Sequence, residues 1–278
     1  MAELVQEAGG LPLIGDSPSG PVGNGPRVYH KSGMAKVAER TGARLAPFDG
    51  VLWKRLNGSD YFIARPVLES DLVINLPKLK THSFTLFTGA VKNLFGDLPG
   101  NRKKEAHVRA PGVKDFSRIL VDVLDLVKPG LTSMDGVIGQ QGNGPGPGGD
   151  PRPYKCLLAS ADPVALDMAV TTAMSYRPGE VVHLAQAGAR GLGTTDLNAV
   201  QIVGERRALD FGAVDVPQAR WYLNVPSWAS APLNRAIRVR PQVEALACSG
   251  CDSCVEVCPR DAITPRRNWI ARLVGVGN

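Results

Sequence analysis

Four cysteines fall within the run CSGCDSCVEVCP, residues 248–259, and no other feature restricts the fold so tightly. Three of them are spaced two residues apart. The fourth follows after three more and precedes a proline. This is the bacterial ferredoxin spacing, in which short C-x-x-C steps on a tight loop set three thiolates around one face of an iron–sulfur cube and Cys-Pro directs the chain away. The ligand set read from it is Cys248, Cys251, Cys254 and Cys258, around a [4Fe-4S] cluster. Zinc also accepts four thiolates, but zinc ribbons separate two C-x2-C pairs by a longer loop.

In two-cluster ferredoxins the fourth cysteine of such a run serves the neighbouring cube, and no second run follows here. Three arrangements stay open. All four cysteines hold one cube; or Cys248, Cys251 and Cys254 bind while another group completes the site; or a homodimer shares cysteines across its interface. Cys156, the fifth cysteine, lies in an apolar stretch, where a free thiol behaves as a small core residue. Clustered thiols fit metal binding in a reducing compartment better than a disulfide framework. The start MAELVQEAGG lacks a basic and then apolar leader pattern, and no stretch approaches the roughly 18 apolar residues of a membrane span. A cytoplasmic location and no membrane partner are expected.

The net charge of +6 is local. Between Lys78 and Arg118 there are nine Lys and Arg against three Asp and Glu, an excess of six that equals the net charge of the whole chain. Such concentration points to an anion site rather than a generally basic surface. The stretch NLPKLKTHSFTLFTGAVKNLFG, residues 75–96, opens the basic region after the apolar run DLVINLP, read as a central parallel strand. Ligands gather at the carboxyl ends of such strands. Lys78, Lys80 and His82 are therefore candidates for substrate or anion binding, with Lys92 and Asn93 on the helix that follows. Asp135, at the end of the strand LTSMDG and ahead of the Gly-rich loop of residues 137–153, is a candidate polar or metal ligand. Asp16 in GDSPSGPVGNGP raises the same possibility. The Gly-rich loop is not a P-loop, because no Gly-Lys-Ser/Thr follows, and it is not read as the dinucleotide fingerprint either. His107 and His183 are isolated and read as structural.

Strands alternate with helices, which predicts an α/β fold, a largely parallel sheet with helices on its faces. A short buried strand is expected over 11–15, a helix over 32–43 with Ser32 as N-cap, and a hairpin turning at Asn57-Gly58. Phe116, Ile119, Leu120, Val123, Leu124 and Val127 form one helical stripe, ended by Pro129-Gly130. A strand over 154–160, a helix capped by Asp162 with Pro163 at its first position, a last helix in VVHLAQAG and a last strand in AVQIVG follow. Residues 1–204 form the α/β domain, 205–242 a linker, and 243–278 a small C-terminal ferredoxin-like iron–sulfur segment.

GDSPSG, ESDLVINLPKLKTHSFTLFTGAVKNLFGDLPG, MDGVIGQQGNGPGPGGDPR and LLASADPVALDMAV together resemble the family known as domain of unknown function 362. The resemblance implies an α/β core with a C-terminal ferredoxin-type domain, and no assigned reaction. Members of that family typically carry a strand and helix with a Lys-Pro-Asn segment before Gly-Asp-Ser-Pro, and many carry a second cysteine run. This sequence shows neither, so it reads either as a shortened member or as one whose start is misassigned and whose cluster domain is reduced to one site. The function expected is an iron–sulfur redox protein passing single electrons to or from a substrate or partner at the α/β domain. An electron donor or acceptor protein and an anionic small molecule are the expected partners. Two alternatives remain: a non-enzymatic ferredoxin-like carrier, and a nucleic-acid-binding protein with a structural cluster. The scarcity of aromatics in the basic region argues against nucleic acid.

Overall fold

The structure is a computed structural model, and it describes residues 1–17, 25–146 and 148–217, with Val225 and Ala229 beyond them. The chain divides into two compact units, Met1–Ala236 and Ile237–Asn278, and the second lies outside the described residues.

Helix α1 (Ala2–Glu7) leads to β1 (Leu13–Ile14), then to α2 (Gly25–Ser32) and α3 (Met34–Thr41), and β2 (Arg44–Leu45) pairs parallel with β1. The strand expected over 11–15 shrinks to two residues and is not buried. Leu11, just before β1, is 93% exposed, and β2 is the one strand paired with β1 among the described residues. Ser32 ends α2 and does not cap α3. Gly33, at φ 83°, breaks the two helices apart in a conformation that glycine adopts without cost. Gly42, also left-handed, stops α3 as expected.

β3 (Val51–Leu56) and β4 (Ser59–Ala64) form the expected hairpin. Asn57 and Gly58 both have positive φ, the geometry whose twist matches a two-residue turn. After α4 (Arg65–Glu69), the apolar run 71–77 contributes only β5 (Ile74–Asn75) to a sheet, and Leu72 and Leu76 are exposed. Pairing resumes beyond Pro77, so Lys78, Lys80 and His82 lie within β6 (Lys78–His82) rather than in a loop after a strand. β7 (Leu86–Thr88), the one-turn α5 (Ala90–Asn93) and a 3-10 turn (Leu94–Asp97) lead to α6 (Arg102–Arg109) and α7 (Val113–Val127).

All six stripe residues of α7 are buried, and Phe116 and Leu120 have no exposed surface. Removing a fully buried aromatic such as Phe116 costs about 3–5 kcal/mol.

β8 (Leu131–Gly142) is the spine of the main sheet. It continues through the glycines expected to be loop and turns back as β9 (Gly149–Arg152), so Asp135 lies inside a strand, not at its end. β10 (Cys156–Ser160) follows, then α8 (Pro163–Ala173) and α9 (Val182–Ala189). The sheet order is β10-β8-β6-β7, with β5 and β9 also on β8. β5 and β6 run parallel to β8, and β7, β9 and β10 pair antiparallel with their neighbours. The core between sheet and helices is built on Phe87, Leu79, Leu86, Met134, Met174 and Leu184.

Asp162 caps α8 through the N–H groups of Val164 and Ala165, with Pro163 at the first position as expected. AVQIVG forms no strand. Val203 is 84% exposed, with no sheet edge to bury its apolar face. The stretch from 205 to 217, expected to begin a linker, packs on the domain. Phe211 stacks edge-on against Tyr154, Arg152 donates to the Phe211 and Ala213 carbonyls, and Gly142 N–H donates to Asp215 O at 2.7 Å.

Candidate functional site

β6 carries Lys78, Lys80 and His82 on one face by the two-residue period of a strand, but a register shift between Lys78 and Lys80 separates their fates. Lys78 is half exposed and donates to Asp135 Oδ2 at 2.6 Å. Asp135 Oδ1 accepts from the Val137 N–H, and the lysine beside it holds its carboxyl below the usual range. The two expected ligands thus satisfy each other. A solvated pair of this kind is worth at most about 1 kcal/mol.

Lys80 has no hydrogen-bond or ion-pair partner among the described residues. Burial lowers its pKa; Lys78 lowers it further and Asp16 opposes. His82 Nδ1 accepts from the N–H groups of Phe84 (3.0 Å) and Thr85 (3.3 Å), which leaves its ring proton on Nε2. Burial first, then Lys92, pushes its pKa down to about 2, so it is a neutral donor.

Lys92 has no hydrogen-bond or ion-pair partner among the described residues. Its Nζ lies 5.8 Å from the centroid of the Phe95 ring. Enclosure lowers its pKa to about 7, helped by repulsion from Lys80 and Lys103. Asn93 is not a free ligand: its Nδ2 donates to Asn75 Oδ1 at 2.8 Å, while Asn75 Nδ2 donates to Ala90 O at 2.9 Å. On the other side of α5, the fully buried Asp167 accepts from the N–H groups of Ala90 (2.6 Å) and Val91 (2.9 Å). Asn75 and Asp167 therefore clamp the single turn that carries Lys92.

Asp16 is tied through its backbone to the Tyr29 hydroxyl, and its Oδ1 accepts from Ser17 N–H. It faces Gly96, where a Cβ would lie 3.5 Å from that oxygen. Two members of the cluster were missed in the sequence reading. Lys103 donates from Nζ to Ser17 O, and burial lowers its pKa against the pull of Asp16 and Asp97. Asp97 Oδ2 is buried with no hydrogen-bond partner among the described residues. Burial, reinforced by Asp16, raises its pKa to about 7, with Lys103 opposing. His107, one helical turn after Lys103, stacks on Phe116 at 4.2 Å and meets Phe95 edge-on, and its pKa is lowered by burial and then Lys92. Lys80, Lys92 and Lys103 are thus electrostatically coupled, directly or through Asp16, with Asp97 among them.

Among the described residues no group of His, Cys, Asp and Glu side chains could hold a metal ion. Cys156 is a free thiol buried in the apolar core, facing Gly136, and burial raises its pKa. Cys248, Cys251, Cys254 and Cys258 lie outside the described residues.

An α/β fold presenting a lysine cluster, joined to a ferredoxin-type cysteine run, defines the class of protein. The family model Domain of unknown function (DUF362) matches residues 1–172, and the chain belongs to that family. A 4Fe-4S binding domain matches residues 241–264, which contain all four clustered cysteines, and the cofactor is a [4Fe-4S] cluster. Four thiolates at ferredoxin spacing are the donor set such a cluster takes. The thylakoid-associated protein sll1697 of Synechocystis sp. is 36% identical over 200 residues, covering 70% of this chain. The match spans 61% of that relative, less than two thirds of its length. No solved structure matches the chain. No helix among the described residues is long and apolar enough to cross a membrane.

Proposed function

We propose that this protein is an iron–sulfur oxidoreductase that exchanges single electrons with a small anion bound at Lys80, Lys92 and Lys103. The cluster supplies one-electron chemistry. The chain's own residues bind and orient. The observation that carries this reading is that all three lysines are largely enclosed, yet none has a carboxylate in ion-pair range among the described residues. Gathering ammonium groups that Asp16 and Asp97 offset only in part, with no direct ion pair among the described residues, opposes folding, and an anion would relieve that repulsion. His82, a fixed neutral Nε2–H donor, adds a hydrogen bond without adding charge. A donor or acceptor protein exchanging electrons with the cluster completes the proposal. The cytoplasm, where clustered thiols stay reduced, is the proposed location. The relative's name adds thylakoid association as the other setting.

Anaerobically prepared full chain should contain iron and sulfide in near-equal amounts and should be bleached reversibly by dithionite. It should also bind oxalate or inorganic phosphate in calorimetry, about tenfold or more weakly in a Lys80→Met/Lys92→Met variant. A cluster that cannot be reduced overturns the redox reading and leaves a structural cluster. Unchanged anion affinity in a folded double variant removes the site.

A further inference from the structure

Among the described residues no hydrogen bond or ion pair holds the ammonium form of Lys92, and the Phe95 ring, in cation–π contact at 5.8 Å, favours it only weakly. Its Nζ meets no acceptor among the described residues, its one-turn helix is held on both sides by Asn75 and Asp167, and its nearest aromatic contact is the Phe95 ring. His82, coupled to it, has Nδ1 committed to two backbone N–H groups and offers no free lone pair there. Lys80 and Lys103 add two positive charges that form no ion pair among the described residues.

A fixed, enclosed amine beside other cations is the arrangement that leaves a lysine free to act as a nucleophile. We propose that Lys92 is a reactive amine that captures the carbonyl carbon of a small carbonyl compound bearing a carboxylate, with Lys80 and Lys103 holding that carboxylate. The proposal rests on reading the lysine cluster as an anion site. The Nζ lone pair forms a C–N bond with the carbonyl carbon. The C–O bond then breaks, and the oxygen leaves as water carrying the protons released by nitrogen, which gives an imine. Burial, which lowers the Lys92 pKa to about 7, supports this, because it raises the share of free amine near neutral pH.

The test uses glyoxylate and sodium cyanoborohydride on the full chain, with peptide mapping by mass spectrometry. Hydride from the borohydride reduces the imine to a secondary amine, which fixes a carboxymethyl group on the lysine that reacted. At pH 7 Lys92 should be labelled at least roughly tenfold faster than the exposed Lys36 and Lys54. Oxalate should slow the labelling. Lys92→Arg keeps the charge and should carry no label at that position. Labelling spread evenly over surface lysines overturns the proposal, whether or not any variant folds. Because the label is read without cluster turnover, selective labelling of a protein whose cluster cannot be reduced would sink the redox reading alone. Anion binding with no selective label would sink only the amine.

Discussion

His183 is fully buried in α9, and neither ring nitrogen has a hydrogen-bond partner among the described residues. Burial, with the charge of Lys92 second, lowers its folded-state pKa to about 3, against about 6.5 in an unfolded chain. Between those values the unfolded state binds a proton that the folded state refuses, so this residue's share of stability is lost as pH falls from about 6.5 toward 3. His183→Leu removes that loss. The stability gained over wild type should be greater at about pH 5 than at about pH 8, by about 2 kcal/mol in urea unfolding. An equal gain at both values would show that titration is not the penalty. At this scale Lys80, Lys92 and Asp16 could be singled out from the sequence as candidates, because each sits beside turn, strand or helix signals. Lys103 was hidden in Arg-Lys-Lys-Glu, where nothing local distinguishes the enclosed lysine from its exposed neighbour Lys104. Asp97 was counted only as a charge, because burial is conferred by the fold and not by the residues flanking it.

Helix α5 shows how an element of four residues can be fixed without intrinsic helical stability. A single turn is costly to nucleate, and here Asp167 replaces the missing acceptors at its start. Gly89, just before it, leaves room for the Asp167 carboxylate and the Phe87 ring. A Cβ there would collide with both. Gly89→Ala should therefore destabilise the protein by about 1–3 kcal/mol in chemical unfolding, a steric effect, since Gly89 has negative φ. A variant as stable as wild type would sink the clamp. Elements governed by local signals, such as α7 with its six-residue stripe, α8 with its Asp162 cap and the Asn57-Gly58 hairpin, were legible. The β8–β9 hairpin was not. Its glycines look like loop until the pairing with β6 and β10, set by residues far away in sequence, draws them into a sheet.

For the whole molecule, the cofactor was readable because cysteine spacing is itself the chemistry, and the family because its segments recur along the α/β domain, whereas the reaction was not, since no spacing encodes a substrate. The open ligand question yields to substitution. Cys251→Ser should lose the cluster, while Cys258→Ser should keep iron in a more labile form, because that position serves a neighbouring cube where two exist. Equal loss in both, scored by iron and sulfide content, would assign four local cysteines to one cube. The lysine cluster has a further consequence, set by time. Ser17 meets Gly100 and Lys103 across 83 and 86 residues of chain, and Asp167 meets Ala90 across 77. The β3–β4 hairpin and α7 need only short loops closed, but these contacts need long ones, and that entropy must be met before they form. Until they do, Lys92 is an ordinary solvated ammonium. A newly made or misfolded chain is chemically quiet at this position, and the amine becomes reactive only once the topology is complete.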